Sequence, residues 1–142
     1  MKKSFLIMAT LALGLTACSE PAQPLTIDNA LTEAEVTAAR LTPEVMWKMR
    51  RIGSAEVSAD GTTVLYTVTD YSMAENRGVS RIYTLNTATG ETVELTDTSS
   101  NNNSAVWGGD GRVWFLSNRS GSLQVWAMES DGQNPVQITD VA

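Results

Sequence analysis

The sequence has no histidine and only one cysteine in its 142 residues. Without histidine it cannot assemble a Ser-His-Asp triad, and it also lacks a Gly-x-Ser-x-Gly nucleophile elbow. A single cysteine, Cys18, allows neither an internal disulfide nor a structural metal cluster built from thiolates. We therefore expect no catalytic residue, no metal site and no cofactor within this chain.

Basic residues are also scarce, since 10 Lys and Arg stand against 16 Asp and Glu and the formal net charge is −6. Nucleic-acid binding depends on clustered Lys and Arg. After the N-terminus, the one adjacent basic pair is Arg50 and Arg51. Nucleic acid is therefore not expected as a partner.

Residues 1–18 have the pattern of a bacterial lipoprotein signal. Lys2 and Lys3 precede an apolar run over residues 5–15, and the Leu-Thr-Ala sequence before Cys18 resembles a lipobox. The apolar run is too short to span a hydrocarbon core of about 30 Å as a helix. We expect residues 1–17 to be a removed signal peptide and Cys18 to be the site of cleavage and lipid attachment.

A lipid-modified Cys18 would hold the protein on a membrane surface without spanning the bilayer, because each buried methylene contributes about 0.8 kcal/mol. Ser19 follows the cysteine, which resembles the pattern sorted to the outer membrane of Gram-negative bacteria. The expected location is the bacterial cell envelope, with the protein anchored to the outer membrane and facing the periplasm or the cell surface.

Residues 18–41 are expected to form a tether with one short helix. Up to Leu31 they are polar and rich in Pro, Ala and Thr, a composition that predicts no fold. Thr32 and Glu35 have the spacing of a capping box and predict a helix that continues to Arg40.

A second helix is predicted to begin with Thr42 as its N-cap and Pro43 in its first position. Its narrow apolar stripe predicts an end near Arg50 and Arg51, with Gly53 as the residue that stops it.

Two copies of one strand-and-turn pattern follow. Asp60-Gly61 in the first copy matches Asp110-Gly111 in the second, 50 residues later, and Tyr83 matches Trp126, 43 residues later. Each Asp-Gly pair lies between apolar segments, where glycine tolerates the positive φ of a tight turn. A repeat of this period, built from short strands and turns, is typical of β-propeller blades.

We therefore predict an all-β domain over residues 42–142, an incomplete β-propeller with about two four-stranded blades. Blade one covers about residues 52–97 and blade two about residues 102–140. Propellers close with about four to eight blades, so we expect the chain to be the opening piece of a longer protein or a truncated product.

Alignment on the Asp-Gly pairs makes Val64-Leu65-Tyr66-Thr67 equivalent to Trp114-Phe115-Leu116-Ser117. The predicted strands are Val64 to Val68, Arg81 to Leu85 and Val93 to Leu95 in the first copy, and Val113 to Leu116, Leu123 to Met128 and Val136 to Ile138 in the second. The aromatic side chains on or beside them are expected to pack between neighbouring sheets: Tyr66, Tyr83, Trp107, Trp114, Phe115 and Trp126.

One connection differs between the copies, because residues 70–80 make it seven residues longer in the first. We interpret these residues as a solvated surface loop. Loops often carry binding groups, so Glu75 within it is also a candidate for binding the amino terminus of a peptide. Substrate-binding residues otherwise stay unknown at this stage.

Beyond the repeat, the sequence resembles the prolyl oligopeptidase family of serine peptidases. Within that family it is most similar to the bacterial dipeptidyl and acylaminoacyl peptidases of the dipeptidyl peptidase V type. The residues that carry the resemblance are 41–44 (Leu-Thr-Pro-Glu), 49–53 (Met-Arg-Arg-Ile-Gly), 57–61 (Val-Ser-Ala-Asp-Gly), 74–78 (Ala-Glu-Asn-Arg-Gly) and 117–128, from Ser117 to Met128.

The resemblance implies that the parent protein is a lipid-anchored serine exopeptidase that acts on short peptides. In such enzymes the propeller controls substrate access to a C-terminal α/β-hydrolase domain, which carries the Ser, Asp and His triad and is missing from this chain.

Two alternatives stay open. The blade motif also resembles that of the TolB propeller, which would make the protein a non-catalytic lipoprotein that binds a protein partner in the cell envelope. The sequence could also be a decayed gene fragment.

Overall fold

The computed structural model describes residues 23–141. The predicted signal peptide and the predicted lipid-attachment residue Cys18 lie outside the described residues. Two short helices come first, α1 at Glu33–Ala38 and α2 at Pro43–Lys48. Within residues 23–141, no helix is long and apolar enough to cross a bilayer.

The predicted N-terminal caps of both helices are confirmed. The Thr32 hydroxyl accepts a hydrogen bond from the Glu35 backbone N–H at 3.3 Å, and the Glu35 carboxylate accepts one from the Thr32 backbone N–H at 2.7 Å. Helix α2 has Thr42 as its N-cap and Pro43 in the first turn. These contacts satisfy amide groups that have no partner inside the helix.

The predicted C-terminal end of the second helix is wrong. Helix α2 ends at Lys48, the backbone of Met49 is already extended, and strand β1 covers Arg51–Val57. Gly53 therefore lies inside a strand, at an irregularity in its pairing between Ile52 and Ala55. The backbone hydrogen bonds of the first sheet outweigh the weak helical stripe, as tertiary pairing commonly does.

Eight strands form two antiparallel four-stranded sheets, each in sequence order. The first sheet contains β1 at Arg51–Val57, β2 at Thr63–Ser72, β3 at Arg77–Asn86 and β4 at Thr92–Glu94. The second contains β5 at Asn102–Trp107, β6 at Val113–Ser117, β7 at Gln124–Met128 and β8 at Val136–Gln137. The predicted fold class, an incomplete propeller of two four-stranded blades, is confirmed.

The turns divide the propeller segment into two sides. The turn side carries residues 58–62, 87–91, 108–112 and 129–135, and the connector side carries residues 73–76, 95–101 and 118–123. Gly61 and Gly111 have φ values of 73° and 79°, which confirms the predicted Asp-Gly turns. Residues with a side chain rarely adopt these angles.

The expected loop over residues 70–80 is mostly strand, so that prediction is wrong. Strands β2 and β3 continue to Ser72 and from Arg77, and the turn between them has only four residues, 73–76. The extra length of the first copy is therefore an extension of a β-hairpin on the connector side. The sequence pattern predicted a loop here because the segment is rich in polar residues such as Ser and Asp, which are common in turns.

The predicted alignment of the two copies is also wrong by one residue. Val57 pairs with Val64, whereas Trp107 pairs with Val113, because the second turn is one residue shorter. Val64 is therefore equivalent to Val113, and every side chain of β6 points to the face opposite to the predicted one. In the extended hairpin, 16 residues separate the paired Tyr66 and Tyr83, against ten between Phe115 and Trp126, a difference of six rather than seven.

The core lies between the two sheets. Leu65 and Ile82 of the first sheet pack against Ala105, Val113, Phe115 and Met128 of the second, and all six are buried. Leu95, Trp107 and Trp126 are partly buried and pack against this cluster. The prediction of inter-sheet packing thus holds for Trp107, Phe115 and Trp126.

The other three aromatic side chains do not lie in this core. Tyr66 and Tyr83 stack on the far face of the first sheet, with ring centroids 5.6 Å apart. Trp114 lies on the opposite face of the second sheet, because it pairs directly with Val106 and Ala127. We call this face the outer face; it consists of Val106, Trp114, Leu116, Val125, Ala127, Val136 and Ile138.

Candidate functional site

Residues 23–31 contain no helix or strand, yet they are held firmly against the first sheet. We call them the N-terminal strap. Leu25 is buried, at 4% exposure, and its backbone N–H donates to the Thr98 carbonyl at 3.1 Å. The Thr26 backbone N–H donates to the Glu75 carboxylate at 3.1 Å. Composition alone suggested a tether without a fold in this region, but the strap is a packed part of the connector side.

A buried carboxylate joins the strap to the sheet. Asp70, near the end of β2, is fully buried. Its Oδ1 accepts from the Asn29 amide at 3.1 Å and from Arg50 Nε at 3.0 Å, and its Oδ2 accepts from Arg81 Nη2. A buried carboxylate requires such partners, since an unpaired one would change its protonation state or destabilise the fold.

The cluster continues along the far face of the first sheet. Arg81 Nη1 donates to both carboxylate oxygens of Glu94 at 2.9 Å. The Tyr83 hydroxyl donates to Glu94 at 3.0 Å and accepts from Arg50 at 2.9 Å. Burial raises the pKa of Tyr83, and its hydrogen bond to Glu94 adds to the increase. We call Asn29, Arg50, Asp70, Arg81, Tyr83 and Glu94 the polar cluster.

The polar cluster binds the N-terminal part of the chain to the first blade and leaves no reactive group free. Burial lowers the pKa of the Arg50 and Arg81 guanidinium groups, but hydrogen bonds to Asp70 and the other hydrogen bonds and charges around them together outweigh burial and raise both pKa values overall. Both oxygens of Asp70 already accept hydrogen bonds, so Asp70 is not available as a general base. Its role is to position α2 and the strap.

Glu75, the candidate for amine binding, lies in the turn between β2 and β3. One of its oxygens accepts from the Thr26 backbone and the other pairs with Arg77 at 3.1 Å. The structure thus uses Glu75 to hold the N-terminal strap, and both oxygens already have a partner.

Aromatic side chains support the same junction. Trp47 of α2 meets Tyr71 of β2 edge to face, with centroids 5.0 Å apart, and the Arg51 guanidinium lies 4.5 Å from the Tyr71 ring. The Tyr71 ring also covers Gly78 on the neighbouring strand, where a Cβ would lie 2.9 Å from the ring. Cation–π and aromatic contacts of this kind contribute about 0.5–1.5 kcal/mol each.

A second polar group lies between the two sheets. Arg119 occupies the repeat position that Asp70 has in the first copy, since each lies six residues after its equivalent valine, Val113 or Val64. Its guanidinium lies 5.2 Å from the centroid of the Phe115 ring and donates to Asn102 at 3.0 Å.

Arg119 lines a cleft of about 220 Å³ together with connector residues that include Asp97 and Ser99. Burial lowers the pKa of Arg119, and the nearby charge of Asp97 partly opposes this change. Among residues 23–141 no ion pair within 4.0 Å includes Arg119. Both of its hydrogen-bond partners, Ser117 and Asn102, belong to the second sheet, so Arg119 stabilises the start of that sheet.

Residues 23–141 contain no group of three or more His, Cys, Asp and Glu side chains that could hold a metal ion. Sequence reasoning missed the polar cluster, whose members lie far apart in the chain. One signal was present: Asp70 replaces the apolar or small residue that would continue the buried alternation of β2, and a charged residue there requires a partner.

Two four-stranded antiparallel sheets in sequence order, packed face to face, define the chain as a β-propeller segment. Comparison with known structures agrees. A solved structure described as TolB from Agrobacterium tumefaciens superposes with a TM-score of 0.50 at 28% sequence identity, covering 61% of this chain and 29% of that one.

Comparison with known sequences indicates the particular kind of propeller. The chain is 30% identical over 125 residues to dipeptidyl-peptidase 5 of Porphyromonas gingivalis and 28% identical over 115 residues to dipeptidyl-peptidase 5 of Porphyromonas endodontalis, covering 87% and 80% of this chain. It spans 17% of the length of either relative. No protein-family model matches the chain. These similarities identify a propeller segment of a type associated with peptidases.

Proposed function

We propose that this chain is the N-terminal propeller segment of a lipid-anchored serine exopeptidase that acts on short peptides. The observation that carries the proposal is the similarity to dipeptidyl-peptidase 5 over 87% of the chain. A match of this length includes the two helices and the first sheet as well as most of the second. Supporting it, the polar cluster fixes the helices to the first blade as one unit.

In this proposal the propeller selects substrates and does not perform chemistry. The sequence has no histidine, so the Ser, Asp and His of a peptidase triad belong to an α/β-hydrolase domain outside this chain. The propeller admits short peptides to that domain and excludes folded proteins.

The test is to capture the native gene product from bacterial membranes with an antibody to residues 42–142. The captured protein should release dipeptides from short peptides and react with a fluorophosphonate probe for active serines. Residues 18–142 produced alone are the matched control and should do neither. A captured product that neither reacts with the probe nor cleaves peptides would contradict the proposal.

A second candidate function is a non-catalytic propeller lipoprotein that binds a protein partner in the cell envelope. It is favoured by the structural similarity to the structure described as TolB. The two functions differ in the coding sequence that follows. Several hundred further codons with a Gly-x-Ser-x-Gly motif and a later His support the peptidase, whereas further blades and then a stop codon support the binding protein.

A further inference from the structure

The N-terminal strap restricts how the propeller can stand on a membrane. Leu25 is buried and bonded to Thr98 of the connector, and Thr26 is bonded to Glu75 of the turn at residues 73–76. Both partners lie on the connector side. The chain therefore leaves the propeller from that side, at a position held by hydrogen bonds and apolar burial.

The remaining chain is short. Six residues lie between Cys18 and Leu25 in the sequence. The seven steps from Cys18 to Leu25 cover at most about 3.6 Å each in a fully extended chain, or about 25 Å in all. By contrast, strand β3 has ten residues, Arg77–Asn86, and at about 3.3 Å per residue it separates the two sides by about 30 Å. A lipid on Cys18 can therefore reach the bilayer when the connector side faces it, but not when the turn side does.

Exposed apolar side chains occur on the strap, on both helices and next to them. Six of them are between 38% and 66% exposed: Leu31, Val36, Leu41, Met46, Trp47 and Met49. Trp and other apolar residues on short amphipathic segments commonly insert at the boundary between lipid headgroups and acyl chains.

We propose that the N-terminal strap holds the propeller on the lipid surface with its connector side toward the membrane and its turn side toward the aqueous compartment. This inference rests on the proposed lipid anchor at Cys18. It makes the strap a short, ordered spacer and fixes which openings of the propeller peptides can reach.

The test uses the full lipidated protein in vesicles that carry an acceptor dye on the lipid headgroups. A donor dye is attached to one new cysteine, at Ala74→Cys on the connector side or Ala88→Cys on the turn side; both positions are exposed. Because the two sides are about 30 Å apart, energy transfer from position 74 should be at least about two-fold higher than from position 88. Equal transfer from both positions would overturn the inference.

Strap variants make the test specific. Leu25→Ser combined with Asn29→Ala removes the buried apolar side chain and the bond to Asp70, and should abolish the difference in transfer. Asp28→Ala, an exposed change in the same segment, should preserve it. If energy transfer from position 74 is still higher than from position 88 in the Leu25→Ser, Asn29→Ala variant, the inference is contradicted.

Failure of the anchor itself has a separate readout. Wild-type protein should incorporate radioactive palmitate, and Cys18→Ser should not. If wild-type protein incorporates none, the proposed anchor is wrong and this inference falls with it. If palmitate is incorporated but the two positions give equal transfer, only the orientation is wrong and the proposed function stands.

Discussion

The outer face of the second sheet predicts that residues 19–142 alone do not form a stable monomer. The equivalent face of the first sheet buries Leu65 and Ile82 completely against the second sheet. On the outer face, by contrast, Val106, Val136 and Ile138 are 48%, 52% and 42% exposed. The equivalent edge positions of the first sheet, Glu56 and Val93, are also exposed, so a covering sheet would bury mainly the centre of the outer face. Within the described residues no third sheet covers that centre.

The cost can be worked out from the exposed fractions. Full burial of a Val, Leu or Ile side chain contributes about 1.5–3 kcal/mol. Three such side chains that are about half exposed therefore forgo at most roughly 2–5 kcal/mol in total, compared with the 5–15 kcal/mol that typically stabilises a domain. An apolar sheet face of this kind also favours aggregation.

The assay is dye binding and thermal unfolding of residues 19–142. We expect strong binding of 8-anilinonaphthalene sulfonate, self-association and a broad thermal transition. Val106→Thr, Val136→Thr and Ile138→Thr together should reduce dye binding and self-association while keeping residues that favour strands. The control pair Val36→Thr and Leu41→Thr, which changes exposed residues away from this face, should not. A sharp, cooperative melt of a wild-type monomer without dye binding would refute the reasoning.

Three further predictions can be measured in the triple threonine background. Asp70→Ala should lower the free energy of unfolding in urea by about 1.5–3 kcal/mol, because it removes the charged hydrogen bonds to Arg50 and Arg81 and leaves Arg81 paired with Glu94 alone. Asp70→Leu with Arg81→Met should cost much less, and equal losses would argue against a buried pair. Gly132→Ala should destabilise the protein more than Gly90→Ala. Both glycines have positive φ, but only a Cβ at Gly132 would approach a backbone oxygen, that of Leu95, at 3.0 Å. Equal melting temperatures of the two variants would exclude that contact. The hydrogen bond from Lys48, followed by those from Thr32, lowers the pKa of Glu35 from 4.5 to about 2. The contribution of the Glu35 carboxylate to helix stability should therefore be present above pH 4.5 and disappear as the pH falls through about 2. An NMR titration of Glu35 with a midpoint near 4.5 would contradict this prediction.

Local chemistry made several elements of the fold predictable. The capping residues Thr32 and Thr42 and the glycine turns at Gly61 and Gly111 act through their own neighbours, so a short stretch of sequence contains the whole cause. The repeat then predicted two four-stranded sheets because each copy contains the same order of strands and turns.

Properties set by distant contacts were not predictable. The turn at residues 108–112 is one residue shorter than its counterpart in the first copy. This difference shifts the strand register and places Trp114 on the outer face, although the two sequences align well at their Asp-Gly pairs. The docking of the strap depends on Asp70, whose partners Asn29 and Arg50 lie 41 and 20 residues away. No pattern within a single segment encodes such a contact.

The central claim is that these residues serve as the propeller segment of a larger peptidase. The most direct test is the mass of the native gene product, measured by immunoblot of bacterial membranes with an antibody to residues 42–142. This chain has a mass of 15.3 kDa and spans 17% of the length of its relatives. We expect a band several times heavier than the chain, whereas a single band at the mass of the chain alone would contradict the claim.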